Sequence, residues 1–201
     1  MVNDAISLVI GLGNPGPQYA GNRHNIGYLV VEELAKRHAG SFSAHQRSGA
    51  QVAAVRLGMG PGGVPGPRVL LVKTGTFMNV SGGPVSALAQ YFAVAPADVY
   101  VVHDELDIPF GQIRLKLGGG EGGHNGLRSI SKSLGTKDYY RVRTGVGRPP
   151  GKMDAATFVL KDFSTSERPE LPFLVQDAAD ATEMLLQQGL TKAQLHYHTA
   201  T

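Results

Sequence analysis

At 201 residues, with 42% hydrophobic and 17% charged side chains, the chain has the make-up of one globular domain with a single sizeable core. Cysteine is absent, which excludes disulfides, thiolate metal sites and cysteine nucleophiles. No run approaches the roughly 18 to 20 apolar residues of a membrane-spanning helix, and the first strand-like segment is too short for a signal peptide, so a cytoplasmic setting is expected.

The opening segment Ser7 to Leu12 reads as a buried strand ending in a glycine-rich turn, and Ile26 to Arg37 has the apolar spacing of a helix. Alternation predicts strands at Ala50 to Leu57 and Arg68 to Lys73, joined by a loop at Met59 to Pro67. Ser81 is the expected cap of a helix from Gly82 to Phe92. The short apolar strand Val99 to Val102 should deliver His103, Asp104 and Glu105 at its end, where chemistry often sits in open α/β sheets. A strand at Gln112 to Leu117, a loop GGGEGGHNG, a helix at Leu127 to Leu134 and a strand at Arg141 to Val146 follow. A helical pattern then runs from Thr165 to Gln188, with Pro169 and Pro172 near its first turn, and the tail after about Leu195 should lack fixed structure. Nothing repeats and no linker divides the chain. The expected architecture is therefore a single three-layer α/β/α domain over residues 1–201, with a twisted, mixed, mostly parallel central sheet.

Net charge is only +3, but it is unevenly distributed. Residues 1–109 are neutral, 110–152 carry +7 and 153–201 carry −4. A basic block of this kind suits a polyanion, although nine cations scattered over separate faces would give the same sum.

Gly11, Gly13 and Gly16 match the dinucleotide fingerprint GxGxxG after a strand. In a dinucleotide site the helix opens at that loop and holds pyrophosphate at its N-terminus, whereas here Pro15, Pro17 and Gly21 delay the helix. The chain has no GxSxG elbow and no HExxH helix. What stands out is histidine and asparagine in glycine-rich or strand-end settings: Asn14, His24 with Asn25, Asn79 after Met78, His103 with Asp104, and Asn125 after His124. Water could then be the nucleophile. A neutral imidazole can take its proton, and a carboxylate on the other ring nitrogen fixes the tautomer. His24 with Asp104 could form such a dyad, and asparagine amides can hold a carbonyl or an oxyanion without adding charge. For any one of these histidines a structural hydrogen-bonding role is the commoner one, each asparagine could simply occupy a turn or helix cap, and spacing alone is not specific.

The strings GLGNPGPQYAGNRHNIGY, TFMNVSG, HDELDIPFGQIRLKLGGGEGGHNGL and YYRVRTGVGRP, in that order, resemble the signature blocks of bacterial peptidyl-tRNA hydrolases over most of residues 7–150. The resemblance implies a monomer that hydrolyses the ester between a peptide and the 3′ ribose of tRNA, recycling tRNA from stalled or aborted translation, with no cofactor and no metal. It assigns His24 as general base and Asp104 as its orienting carboxylate. Asn14 and Asn79 would hold the carbonyl and ester region, and Asn125 would place the water and the peptide backbone. Tyr19 and Met78 would be walls of the cleft with His124 beside them. Lys116 and Arg143 match positions that grip the 5′ phosphate of the acceptor stem, assisted by Arg141. The family commonly has proline at Thr74 and threonine at Asn22, departures that bear on loop shape. Selectivity should come from stem shape, the terminal phosphate and the blocked amine of the peptidyl group. Rival functions are a non-catalytic RNA-binding relative, like the plant-organelle proteins of this fold that serve intron splicing, an oxidoreductase using the GLGNPG loop, and a histidine-built metal hydrolase.

Overall fold

The structure, a computed structural model, describes residues 5–198. Seven strands form one sheet, and their alternating side chains decide what each face carries. In β1 (Ile6–Gly11), Val9 points to one face while Leu8 and Ile10 point to the other. The same alternation divides β4 (Arg68–Lys73), with Val69 and Leu71 against Leu70 and Val72, and β5 (Val99–Glu105), with Tyr100 and Val102 against Val99 and Val101. Two apolar cores result. One takes in α1 (Ile26–Arg37), α5 (Leu171–Gln188) and α6 (Leu190–His198), and the other α2 (Gly82–Tyr91) and α3 (Asn125–Leu134). This is the expected three-layer α/β/α arrangement.

The strand order is β2-β3-β4-β1-β5-β7-β6, where β2 is Ser43–Ala44, β3 Gln51–Arg56, β6 Ile113–Leu117 and β7 Tyr140–Gly145. The four central strands β4, β1, β5 and β7 pair in parallel, and antiparallel pairings flank them on both sides. From β1 the chain proceeds toward β4; from β5 it proceeds the other way, toward β6 and β7. Such a reversal opens a crevice at the carboxyl ends of the two adjacent strands.

Several boundaries differ from the sequence reading. Ser81 does not cap α2; its hydroxyl donates to the Met78 carbonyl, and the Gly82 N–H is capped instead by Ser129 Oγ from α3. His103, Asp104 and Glu105 lie inside β5, paired with Arg143, Thr144 and Gly145 of β7. The late helix starts at Leu171, after turns over 165–170, with Pro172 in its first turn, and a short helix α4 (Ala155–Val159) precedes it. The chain beyond Leu195 is ordered to His198, because α6 closes the edge of β6. His198 Nε2 accepts from the Leu115 N–H, Gln194 donates to the Leu115 carbonyl, and Arg114 donates to the Tyr197 carbonyl. The remainder of that tail, 199–201, lies outside the described residues.

The glycines of the first loop serve packing. A Cβ at Gly11 would overlap the Gly27 carbonyl, and a Cβ at Gly27 would overlap the Leu12 nitrogen and the Val102 carbonyl oxygen. The start of α1 therefore lies backbone to backbone on the ends of β1 and β5. Gly27→Ala should cost about 2 kcal/mol or more, the range of an overpacked core. A lowered urea midpoint with unchanged slope would register it.

Candidate active site

The ends of β1 and β5, the turn before α1 and the loop before α3 surround a cavity of about 660 Å³. Asn14, Tyr19, His24, Met78, Asn79, Asp104, His124 and Asn125 all line it, so residues from three of the four strings meet in one place. The sequence reading missed Phe77, which is half exposed and stands edge-on to Tyr19 with ring centroids 6.2 Å apart. It also missed α4, whose Ala155, Ala156 and Val159 form the facing wall.

His24 sits in a single 3-10 turn, Arg23–Asn25, at the foot of α1. Its Nδ1 lies 2.9 Å from both carboxylate oxygens of Asp104, so Nδ1–H donates and Nε2 keeps its lone pair on the side of the ring away from the carboxylate. Asp104 also accepts from His124 Nε2 at 2.9 Å, and the rings of His24 and His124 are 4.8 Å apart. Burial would lower the basicity of His24, but the charge and hydrogen bond of Asp104 prevail and raise it above the ordinary imidazole value. Burial likewise opposes ionisation of Asp104, yet the two imidazoles hold it well below the usual carboxylate range. His24, Asp104 and His124 offer donor atoms within 4.8 Å of one another, and they form the cluster among the described residues that could converge on a metal ion.

Asn14 is held at three points. Its backbone N–H and carbonyl exchange hydrogen bonds with the Asn25 amide at 3.0 and 2.9 Å, and its side-chain Oδ1 accepts the Met78 N–H at 2.8 Å. With Oδ1 engaged, its Nδ2 remains to donate into the cavity. Asn79 and Asn125 are exposed at the rim, and Asn125 Oδ1 accepts from Arg128.

Arg23 fixes the turn from behind. It is buried and donates to the carbonyls of Phe158, Lys161 and Asp162, pairs with Glu167 at 2.7 Å, and lies 4.0 Å over the Phe158 ring. Beside it the Asn22 amide donates to Asp162 at 2.8 Å, so the residue that departs from the family pattern anchors the same junction. Thr74, the other departure, is buried with its hydroxyl 3.4 Å from that of Tyr28.

The basic residues divide. Arg143 is half-buried and pairs at 3.0 Å with Glu105, which lines the cavity, and Lys116 on β6 is close enough for Arg143 and Arg141 to affect its charge. Burial, then those guanidinium groups, depress the basicity of Lys116. Arg141 has a different task from the one expected. It is 1% exposed and its guanidinium donates to the carbonyls of Gly119 and Gly120, which leaves it inside the protein bracing the glycine-rich loop rather than facing a phosphate.

A family model described as "Peptidyl-tRNA hydrolase" matches residues 8–201. Proteins named peptidyl-tRNA hydrolase from Kineococcus radiotolerans and Pseudarthrobacter chlorophenolicus are 62% and 61% identical, covering 95% and 96% of this chain and 96% and 95% of theirs. The crystal structure of peptidyl-tRNA hydrolase from Acinetobacter baumannii superposes with a TM-score of 0.85 at 33% identity, covering 98% of this chain and 96% of that one.

One buried group in the site region makes stability depend on pH. His103 donates from Nδ1 to the Asp104 carbonyl at 2.7 Å, and burial, with the neighbouring His124, pushes its pKa down to about 3. Between the ordinary value of 6.5 and about 3, the unfolded chain binds a proton here that the folded chain does not. Stability should therefore fall as pH drops through that window, by about 1.4 kcal/mol per pH unit from this residue. Urea titrations at a series of pH values should give a shallower slope for His103→Leu than for the unaltered chain.

Proposed function

This chain belongs to the peptidyl-tRNA hydrolase family and releases tRNA from peptidyl-tRNA, and we propose that it does so with a water deprotonated by His24. The observation that carries this reading is the contact of His24 Nδ1 with both oxygens of a buried Asp104, which leaves Nε2 as the proton acceptor in a cavity lined by three asparagines. Nε2 takes a proton from water as the oxygen attacks the ester carbonyl. Asp104 stabilises the imidazolium that forms. The Asn14 amide, oriented by Met78 and Asn25, donates to the oxyanion, with Asn79 at the ester and Asn125 placing water and peptide backbone. Collapse of the intermediate expels the ribose oxygen, which takes the proton back from His24, leaving free tRNA and a peptide carboxyl group. Every proton is accounted for within the protein.

Tyr19, Met78 and Phe77 form the apolar part of the floor and rim, fitting the hydrocarbon of a peptidyl group. Lys116 and Arg143 lie next to the cavity through Glu105, which suits a grip on the terminal phosphate of the acceptor stem. Cytoplasmic recycling of tRNA by a single-domain monomer fits this reading. Among the described residues no helix is long and apolar enough to cross a membrane.

The test is hydrolysis of N-acetyl-aminoacyl-tRNA. His24→Ala should lose on the order of 10² to 10⁴ in rate. Activity should also fall as pH drops through the raised pKa of His24, because the base must be neutral to act. Lys116→Ala and Arg143→Ala should weaken apparent tRNA affinity and flatten its dependence on salt, as expected when fewer counterions are released. Unchanged salt dependence in both variants would remove the phosphate assignment without touching the base.

A further inference from the structure

We infer that His124 is a positioning residue for this reaction: the first turn of α3 fixes its tautomer, so that it donates permanently to Asp104 and limits how strongly that carboxylate draws a proton onto His24. The inference rests on the assignment of His24 as base. His124 is the N-cap of α3, and its Nδ1 accepts the backbone N–H groups of Gly126 at 3.1 Å and Leu127 at 3.4 Å. A proton on Nδ1 would face both of those donors. The ring is therefore neutral with its proton on Nε2, 2.9 Å from Asp104 Oδ1. A metal ion bound through Nε2 would have to move that proton to the nitrogen already occupied by the helix.

The consequence is a shared carboxylate. Oδ1 of Asp104 accepts from His24 and His124 together, while Oδ2 accepts from His24. With two ring N–H groups on one carboxylate, the pull of Asp104 on a proton at His24 is weaker than it would be with His24 as sole partner, while the basicity of His24 remains raised. The other titratable groups around the cavity are Tyr19 in the turn after β1, Glu105 and His103 on β5, Glu121 on the loop before α3 and Asp154 at the start of α4. Glu105 is paired with Arg143 and Glu121 with Lys137, which leaves Asp104 and His124 as the close electrostatic partners of His24.

The experiment combines ring-nitrogen NMR with pH profiles of kcat/KM for the whole enzyme. In the unaltered protein the ¹⁵N signals of His124 should show Nδ1 bare and Nε2 protonated. His124→Asn keeps a preferred helix cap but is too short to reach Asp104. It should stay folded with a lowered thermal midpoint, since Asp104 loses one of its two partners, while the titration of His24 and the acid limb of kcat/KM move up by about one pH unit. That amounts to roughly tenfold lost activity below the limb, with little change in KM. His124→Gln, which presents an N–H at similar reach, should bring the limb back. A limb that stays in place while KM rises would make His124 a substrate contact and overturn the inference, as would an Nδ1-protonated ring. Full turnover by His24→Ala would instead sink the base assignment beneath it, a result the nitrogen signals do not depend on.

Discussion

The site exists because α1 can touch the sheet with no side chain between them. Gly27 lies against Leu12 and Val102, and Gly11 lies against Gly27, so the helix begins at the very ends of β1 and β5. His24, in the turn just before that contact, is thereby brought to Asp104, two residues beyond Val102 on β5. A helix held off by even one methyl layer would place the imidazole out of hydrogen-bond reach of the carboxylate. The glycine pattern that resembles a dinucleotide loop is thus explained by a packing constraint. The same constraint binds the loop after β1, since Asn25 clamps the backbone of Asn14 from the helix side.

A buried carboxylate is costly unless its lone pairs are met, and removing one partner of a buried pair typically costs about 3 to 5 kcal/mol. Asp104 meets that requirement with two imidazoles, one anchored by α3 and one by the turn before α1. Its ionisation therefore depends on elements from both faces of the sheet. Arg23 extends the dependence to α4 and to Glu167, so the turn carrying His24 is also held by a segment from late in the chain. On the proposed mechanism, the wall over the cavity and the orientation of the base share one guanidinium.

Regular segments were legible in the sequence because their periodicity is strict: α1 and β4 begin and end where the apolar spacing predicts. The polar end of β5 was not, since His103, Asp104 and Glu105 look like a strand terminus and are held in the sheet only by pairing with β7. Nor was α4. It is five residues long, and the contacts that make it a wall come from Arg23, 135 residues away from Phe158. The histidines and asparagines of the site were visible as residue types in loops, while their roles were not, because Asn14 and Asn25 differ only in which atoms the fold leaves unoccupied. The basic block shows the limit of counting charge. Arg141 braces a loop from inside, Arg114 holds α6 and Arg148 pairs with Asp107, whereas Lys116 and Arg143 stand beside the cavity.

Occupancy also bears on which esters the cavity accepts. Glu105, Glu121 and Asp154 all line it, and a free carboxylate there would welcome the charged amine of an aminoacyl-tRNA. Each of the three is already engaged. Glu105 pairs with Arg143, Glu121 with Lys137, and Asp154 accepts the Thr157 N–H as the cap of α4. Beside the bare Nε2 of His24 lies the Asn14 amide, which presents a donor because its oxygen is taken by Met78. A donor suits a peptide carbonyl and does nothing for an ammonium group. On this assignment, the charges of Glu105 and Glu121 are offset by the protein's own cations, which leaves less of the cavity's negative charge to draw an unblocked amine.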